Sequence, residues 1–143
     1  MHTISPTFAA LQRQIDGEVK RYARRLALDL RGRTLSMTDC WVNVMGRGAV
    51  HGLHLHPHST ISGTYYVQAP RGSAGLKLED PRLDRYMAAP PRRAAAPAAL
   101  RPWVTLAAQA GKLVLFESWL RHEVAVSTIA GQRVSISFNY NWF

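Results

Sequence analysis

The chain has 143 residues, 47% apolar and 19% charged, which is the composition of one folded globular domain and not of a disordered segment. No apolar run approaches the ~20 residues of a membrane-spanning helix, and Met1–Pro6 lacks the basic start and apolar stretch of a secretory signal. The one cysteine, Cys40, excludes an internal disulfide framework and a cysteine-built zinc site, and fits a reducing cytoplasm.

The net charge of +9, from 18 Lys and Arg against 9 acids, is spread along the whole chain with no interleaved aromatic comb. Such scatter reads as a solvated surface, so neither a membrane nor nucleic acid is the expected partner. Residues 7–30 read as a helix: Phe8, Leu11, Ile15, Val19, Tyr22 and Leu26 recur at spacings of three and four. Ser5 or Thr7 is the candidate cap and Pro6 suits the first turn.

From Ser36 the period turns strand-like. Strands are expected over Met37–Val44, Gly52–His56, Thr60–Gln68 and Leu76–Glu79, with Gly and Pro turns between them. A loop follows over residues 84–102, rich in Pro, Ala and Arg. Trp103–Ala107, Lys112–Phe116, His122–Val126 and Arg133–Tyr140 complete a set of about eight. One helix followed by eight short strands predicts an all-β core with an N-terminal helix packed on it, and a double-sheet jelly roll fits that count.

Four of the six histidines fall within eight residues: His51, His54, His56 and His58. On a strand, His54 and His56 share a face because the side-chain period is two. Two imidazoles from one segment, with His122 from another strand, would make a three-histidine metal site with open positions. His58 is the alternate to His56 if Pro57 bends the strand. Imidazole suits Zn, Cu, Fe and Ni alike. No Asp or Glu lies between Asp39 and Glu79, and Glu123 should face away from its neighbour His122, which leaves Asp80 as the long-range carboxylate candidate.

The last strand places Arg133, Ser135 and Ser137 on one face and Val134, Ile136 and Phe138 on the other. Facing inward, a guanidinium with a hydroxyl two residues on makes a carboxylate clamp, since a buried charge needs an anionic partner. Facing outward, the same residues are solvated surface.

Several segments in order resemble the 2-oxoglutarate/Fe(II)-dependent oxygenase family: Trp41-Val42-Asn43-Val44, His54-Leu55-His56-Pro57, Ser62-Gly63-Thr64-Tyr65-Tyr66, Ser118-Trp119-Leu120-Arg121-His122 and Arg133-Val134-Ser135-Ile136-Ser137-Phe138-Asn139. The resemblance spans roughly residues 41–139. It implies a double-stranded β-helix, the cupin-like jelly roll, and an Fe(II)- and 2-oxoglutarate-dependent dioxygenase, a hydroxylase of a small-molecule or protein substrate, with O2 as co-reactant. By position, His54 and His122 resemble the first and distal metal ligands, while His56 stands where most of the wider superfamily has a carboxylate. Arg133 and Ser135 resemble the pair that grips the far carboxylate of 2-oxoglutarate, and Tyr66 sits where a strand tyrosine joins that clamp. Glu117 stands where the family usually has proline. Two other readings compete: a three-histidine cupin-like metalloenzyme that does not use 2-oxoglutarate, and a non-catalytic basic jelly-roll binding module.

Overall fold

The computed structural model describes residues 5–143; Met1–Ile4, most of the stretch examined above for a signal, lie outside it. Helix α1 (Pro6–Arg25) opens on Ser5, whose hydroxyl accepts the Thr7 N–H at 3.2 Å. Its apolar stripe buries Ile15, Val19 and Ala23. The helix stops at Arg25, short of residue 30. The Leu28 N–H donates to the Ala23 carbonyl and the Ala27 N–H to that of Arg24, with Ala27 at φ 53°. This pair of bonds closes a helix around a left-handed residue that is usually glycine. An alanine there leaves no mark in the sequence.

Eight strands follow: β1 (Leu35–Met45), β2 (His51–His54), β3 (Ile61–Gln68), β4 (Leu76–Glu79), β5 (Trp103–Leu106), β6 (Leu113–Glu117), β7 (His122–Val124) and β8 (Arg133–Trp142). They form two antiparallel four-stranded sheets, ordered β1-β8-β3-β6 and β2-β7-β4-β5. The architecture is a jelly roll with the helix laid on one sheet. Strand β2 ends at His54, before the expected His56, because Pro57 and His58 (φ 67°) turn the chain there. Residues 84–102 hold no strand, and short 3-10 turns lie at Leu83–Tyr86, which begins one residue earlier, and at Ala98–Leu100. No helix among the described residues is long and apolar enough to cross a membrane.

The core has two layers. Ile15, Val19, Ala23, Leu35, Ile61, Phe138 and Tyr140 pack α1 onto the outer face of the first sheet. Met45, Tyr66, Leu76, Val114, Phe116 and Val124 fill the space between the sheets. Gly63 is required by the first layer: a Cβ there would meet the Phe138 ring at 2.5 Å.

Strand pairing sets out the inner face of the first sheet in rows. Asp39, Asn139 and Ser62 lie opposite one another across β1, β8 and β3, as do Trp41, Ser137 and Thr64, and then Asn43, Ser135 and Tyr66. Met45 faces Arg133 at the far end. A polar stripe therefore runs down β8 and continues onto its neighbours at Asp39, Asn43, Ser62 and Thr64.

Candidate metal centre

His54 and His122 stand opposite each other where β2 and β7 pair. His56 reaches the same place from the turn after β2, its N–H donating to the Ser118 carbonyl at 3.1 Å. One ring nitrogen from each of the three lies within 4.8 Å of the other two. The ring centroids of His54 and His122 are 4.2 Å apart, and those of His56 and His122 are 5.1 Å apart.

Backbone carbonyls select the tautomers. His54 Nδ1 donates to Gly52 O at 2.7 Å and His122 Nδ1 to Leu120 O at 2.9 Å. That leaves Nε2 of each ring as the free lone pair, which is how a ligating imidazole is normally oriented. Burial pulls the His122 imidazole down to about 4, with His54, His56 and His51 adding to the fall against the upward pull of the Leu120 carbonyl. His56 is also lowered, first by burial and then by His54, with Asp39 pulling the other way. These two rings are thus neutral, as metal ligation requires.

Among the described residues, no carboxylate completes the cluster. Asp80 is held by Arg82 Nε at 2.9 Å, Arg82 Nη2 at 2.6 Å and the Tyr86 hydroxyl at 2.8 Å. Glu123 pairs with Lys77 Nζ at 2.6 Å on the opposite face of β7. His58 is exposed and its carbonyl accepts Asn141 Nδ2 at 2.8 Å, so the histidine in the cluster is His56.

Beside the histidines, a cavity of about 90 Å3 is lined by Trp41, Asn43, Thr64, Arg133, Ser135 and Ser137 among others. Arg133 faces inward and is only 4% exposed. Its Nη1 donates to the Met45 sulfur at 2.7 Å, and its carbon lies 4.9 Å from the centre of the Tyr66 ring. Its Nε and the Tyr66 hydroxyl are buried without a hydrogen-bond partner. A guanidinium against a thioether and a π face lacks the anion that its burial requires. Ser135 is 1% exposed on the same face.

Other members of this cavity were less legible. His51 lines it without joining the three-histidine cluster, its ring 6.5 Å from that of His54. Asn43, whose Nδ2 donates to Ser137 Oγ at 2.9 Å, enters because Trp41, Asn43 and Met45 alternate inward along β1. That alternation was the available signal for Asn43, as it was for Arg133.

The family profile described as "Putative 2OG-Fe(II) oxygenase" matches residues 39–139. The chain belongs to this family. Solved structures of oxygenases share its fold. An oxidoreductase of the 2OG-Fe(II) oxygenase family from Burkholderia pseudomallei superposes with a TM-score of 0.60 at 17% identity, over 77% of this chain and 46% of that one. A prolyl-4-hydroxylase from Pseudomonas putida gives 0.53 at 17% identity, over 76% and 52%. HygX from Streptomyces hygroscopicus, a structure with nickel and 2-oxoglutarate bound, gives 0.62 at 12% identity, over 99% and 69%. The chain thus spans about half the length of the first two. No curated protein matches it in a sequence comparison.

The residues fit the two groups that the family name implies. Three imidazoles, each with a ring nitrogen within 4.8 Å of the other two, suit a divalent transition metal. The unpartnered guanidinium suits a carboxylate, and Arg presents a fork that a carboxylate can engage at two points.

Proposed function

We propose that this 2OG-Fe(II) oxygenase holds iron through His54, His56 and His122 and hydroxylates a substrate at the expense of 2-oxoglutarate and O2. The supporting observation is the buried, anion-less Arg133 sharing one cavity with the histidine cluster. A three-histidine enzyme without 2-oxoglutarate, or a binding module with structural histidines, would need some other anion for that guanidinium.

Bound together, Fe(II) and 2-oxoglutarate supply the oxidising chemistry, with succinate and CO2 as co-products. The chain supplies placement. The Gly52 and Leu120 carbonyls fix which nitrogen of His54 and His122 is offered to the metal. Arg133 and Ser135 grip the distal carboxylate of 2-oxoglutarate, and the Tyr66 ring supports the guanidinium from below. Phe116, 4.6 Å from the His122 ring, keeps water from the inner side of the cluster. The single cysteine suits a reducing compartment, consistent with a cytoplasmic enzyme.

Anaerobic addition of Fe(II) and then 2-oxoglutarate tests this directly. The visible absorption band of the Fe(II)–2-oxoglutarate chelate should appear only with both present, and each of His54→Ala, His56→Ala and His122→Ala should sharply weaken metal binding. Full Fe(II) occupancy with no response to 2-oxoglutarate would favour the three-histidine enzyme. Absence of metal binding would leave the binding module.

A further inference from the structure

Ser62, Ser118 and Asn139 come from three separate segments and meet in one buried chain of hydrogen bonds. Ser62 Oγ lies 2.8 Å from Ser118 Oγ and donates to Asn139 Oδ1 at 2.8 Å, while Asn139 Nδ2 donates to Asp39 Oδ2 at 3.2 Å. The two serines are 1% and 0% exposed. A register shift between Met37 and Asp39 sets the Asp39 carboxylate opposite Asn139.

The direction of the chain is fixed by its charged end. A carboxylate only accepts, so Asn139 turns its amide nitrogen to Asp39 and its oxygen to Ser62. Ser62 must spend its one proton on that oxygen, and Ser118 must then donate to Ser62. Each group has one role, and the Ser118 side chain is held in a single orientation.

Ser118 in turn brackets the turn that carries His56. Its carbonyl accepts the His56 N–H at 3.1 Å and its N–H donates to the Thr60 carbonyl at 3.1 Å. Asn141 holds the same turn from the other side, through the His58 carbonyl and the Thr60 hydroxyl. His54 and His122 are placed by strand pairing, whereas His56 stands beyond the end of its strand and has no ladder to place it.

We propose that Asp39, Asn139, Ser62 and Ser118 form a positioning device for His56, setting the third metal ligand through the Ser118 backbone. The proposal rests on reading His54, His56 and His122 as the metal ligands. It gives the serines before Gly63 and Trp119, and the asparagine after Phe138, a shared role in metal binding without contact with the metal.

The test uses Ni(II) and the metal-free protein, with affinity read by competition with a chromophoric chelator and folding read by thermal melting. Ser62→Ala and Ser118→Ala should each weaken Ni(II) binding by about 10–100-fold, the usual effect of removing an outer-shell partner. The double variant should bind about as weakly as the worse single, because one broken link already releases Ser118. Ser62→Thr, which keeps the hydroxyl, should recover most of the affinity. Asp39→Asn should weaken binding less than either serine-to-alanine change, since an amide oxygen can still accept from Asn139 although it no longer fixes the direction of the chain. Should Ser118→Ala fail to fold, the Ser62→Ala and Ser62→Thr pair alone decides the matter. Affinity within twofold of wild type in the folded serine-to-alanine variants, or losses that multiply in the double, would overturn the proposal. If wild-type Ni(II) binding also survives His54→Ala and His122→Ala, the metal site itself is misread and the positioning role falls with it.

Discussion

Arg133 shows what a single side chain can report. Its guanidinium is 4% exposed, rests on Tyr66 and touches the Met45 sulfur, so its charge is uncompensated until an anion arrives. Two expectations of opposite sign follow. Removing one partner of a buried charge contact costs roughly 3–5 kcal/mol, so Arg133→Ala should weaken 2-oxoglutarate binding more than a hundredfold while leaving Fe(II) affinity nearly intact. Arg133→Lys should recover only part, because an ammonium keeps the charge but loses the fork. In the absence of 2-oxoglutarate the balance reverses. Replacing a buried, unpaired charge by an apolar side chain of similar length removes a desolvation cost, so Arg133→Met should melt higher than wild type. Melting curves with and without saturating 2-oxoglutarate check both: the ligand should raise the wild-type midpoint and leave that of Arg133→Met unmoved. A ligand-induced rise in Arg133→Met equal to that of wild type would remove Arg133 from the clamp.

At the scale of elements, legibility followed periodicity. Strand β8 was readable because Arg133, Ser135 and Ser137 alternate with Val134, Ile136 and Phe138, and its two faces do meet different layers, the cavity and α1. The end of α1 was not readable, because it depends on a left-handed alanine where a glycine would have announced the stop. The placement of His56 was anticipated for an incomplete reason. Strand alternation predicted that it would share a face with His54, but β2 ends at His54 and the turn at Pro57 and His58 does the work. Gly63 is a further case in which an element's sequence encodes close approach. It pairs with Phe138 across β3 and β8, and an added methyl would also meet the Val114 carbonyl at 2.7 Å. Gly63→Ala should therefore destabilise by about 1–3 kcal/mol, the usual cost of overpacking, read as a lower urea midpoint. Combining it with Phe138→Leu should recover less than the whole loss, because the backbone contact stays. A Gly63→Ala protein as stable as wild type would show that the Phe138 ring and the Val114 backbone can give way at no cost.

For the whole molecule, eight strands could be counted from turn residues, but the pairing that brings His54 to His122 across β2 and β7 joins residues far apart in sequence and has no local signature. The histidine pattern and the resemblance of motifs both joined His54 and His122 as ligands, but neither named the strand pairing that brings them together. The same pairing makes global stability depend on pH. His122 is 4% exposed and is pulled down to about 4 by burial and by the neighbouring histidines; the groups around it are His54, His56 and His51, and Arg133 adds to the lowering of His51. In the unfolded chain the same ring titrates near ~6.5, so between these values the unfolded state binds a proton that the folded state refuses. The stability contributed by a neutral His122 is thus complete above about pH 6.5 and is lost as pH falls toward 4, on the order of 3 kcal/mol in total. His51 and His56, lowered for the same reason, add to the loss with the same sign. Asp80 belongs to a different window, because Arg82 holds its carboxyl below the ordinary carboxylate range and its contribution is lost only at more acid pH. Urea midpoints of the metal-free protein should therefore fall steadily between pH 7 and 4.5, and His122→Leu should flatten that slope while removing metal binding. With Fe(II) present under anaerobic conditions the wild-type slope should steepen, since the metal binds only the neutral rings of the folded state. A metal-free wild type whose midpoint stays level from pH 7 to 4.5 would mean that His122 is protonated without cost, and that the cluster is open to water.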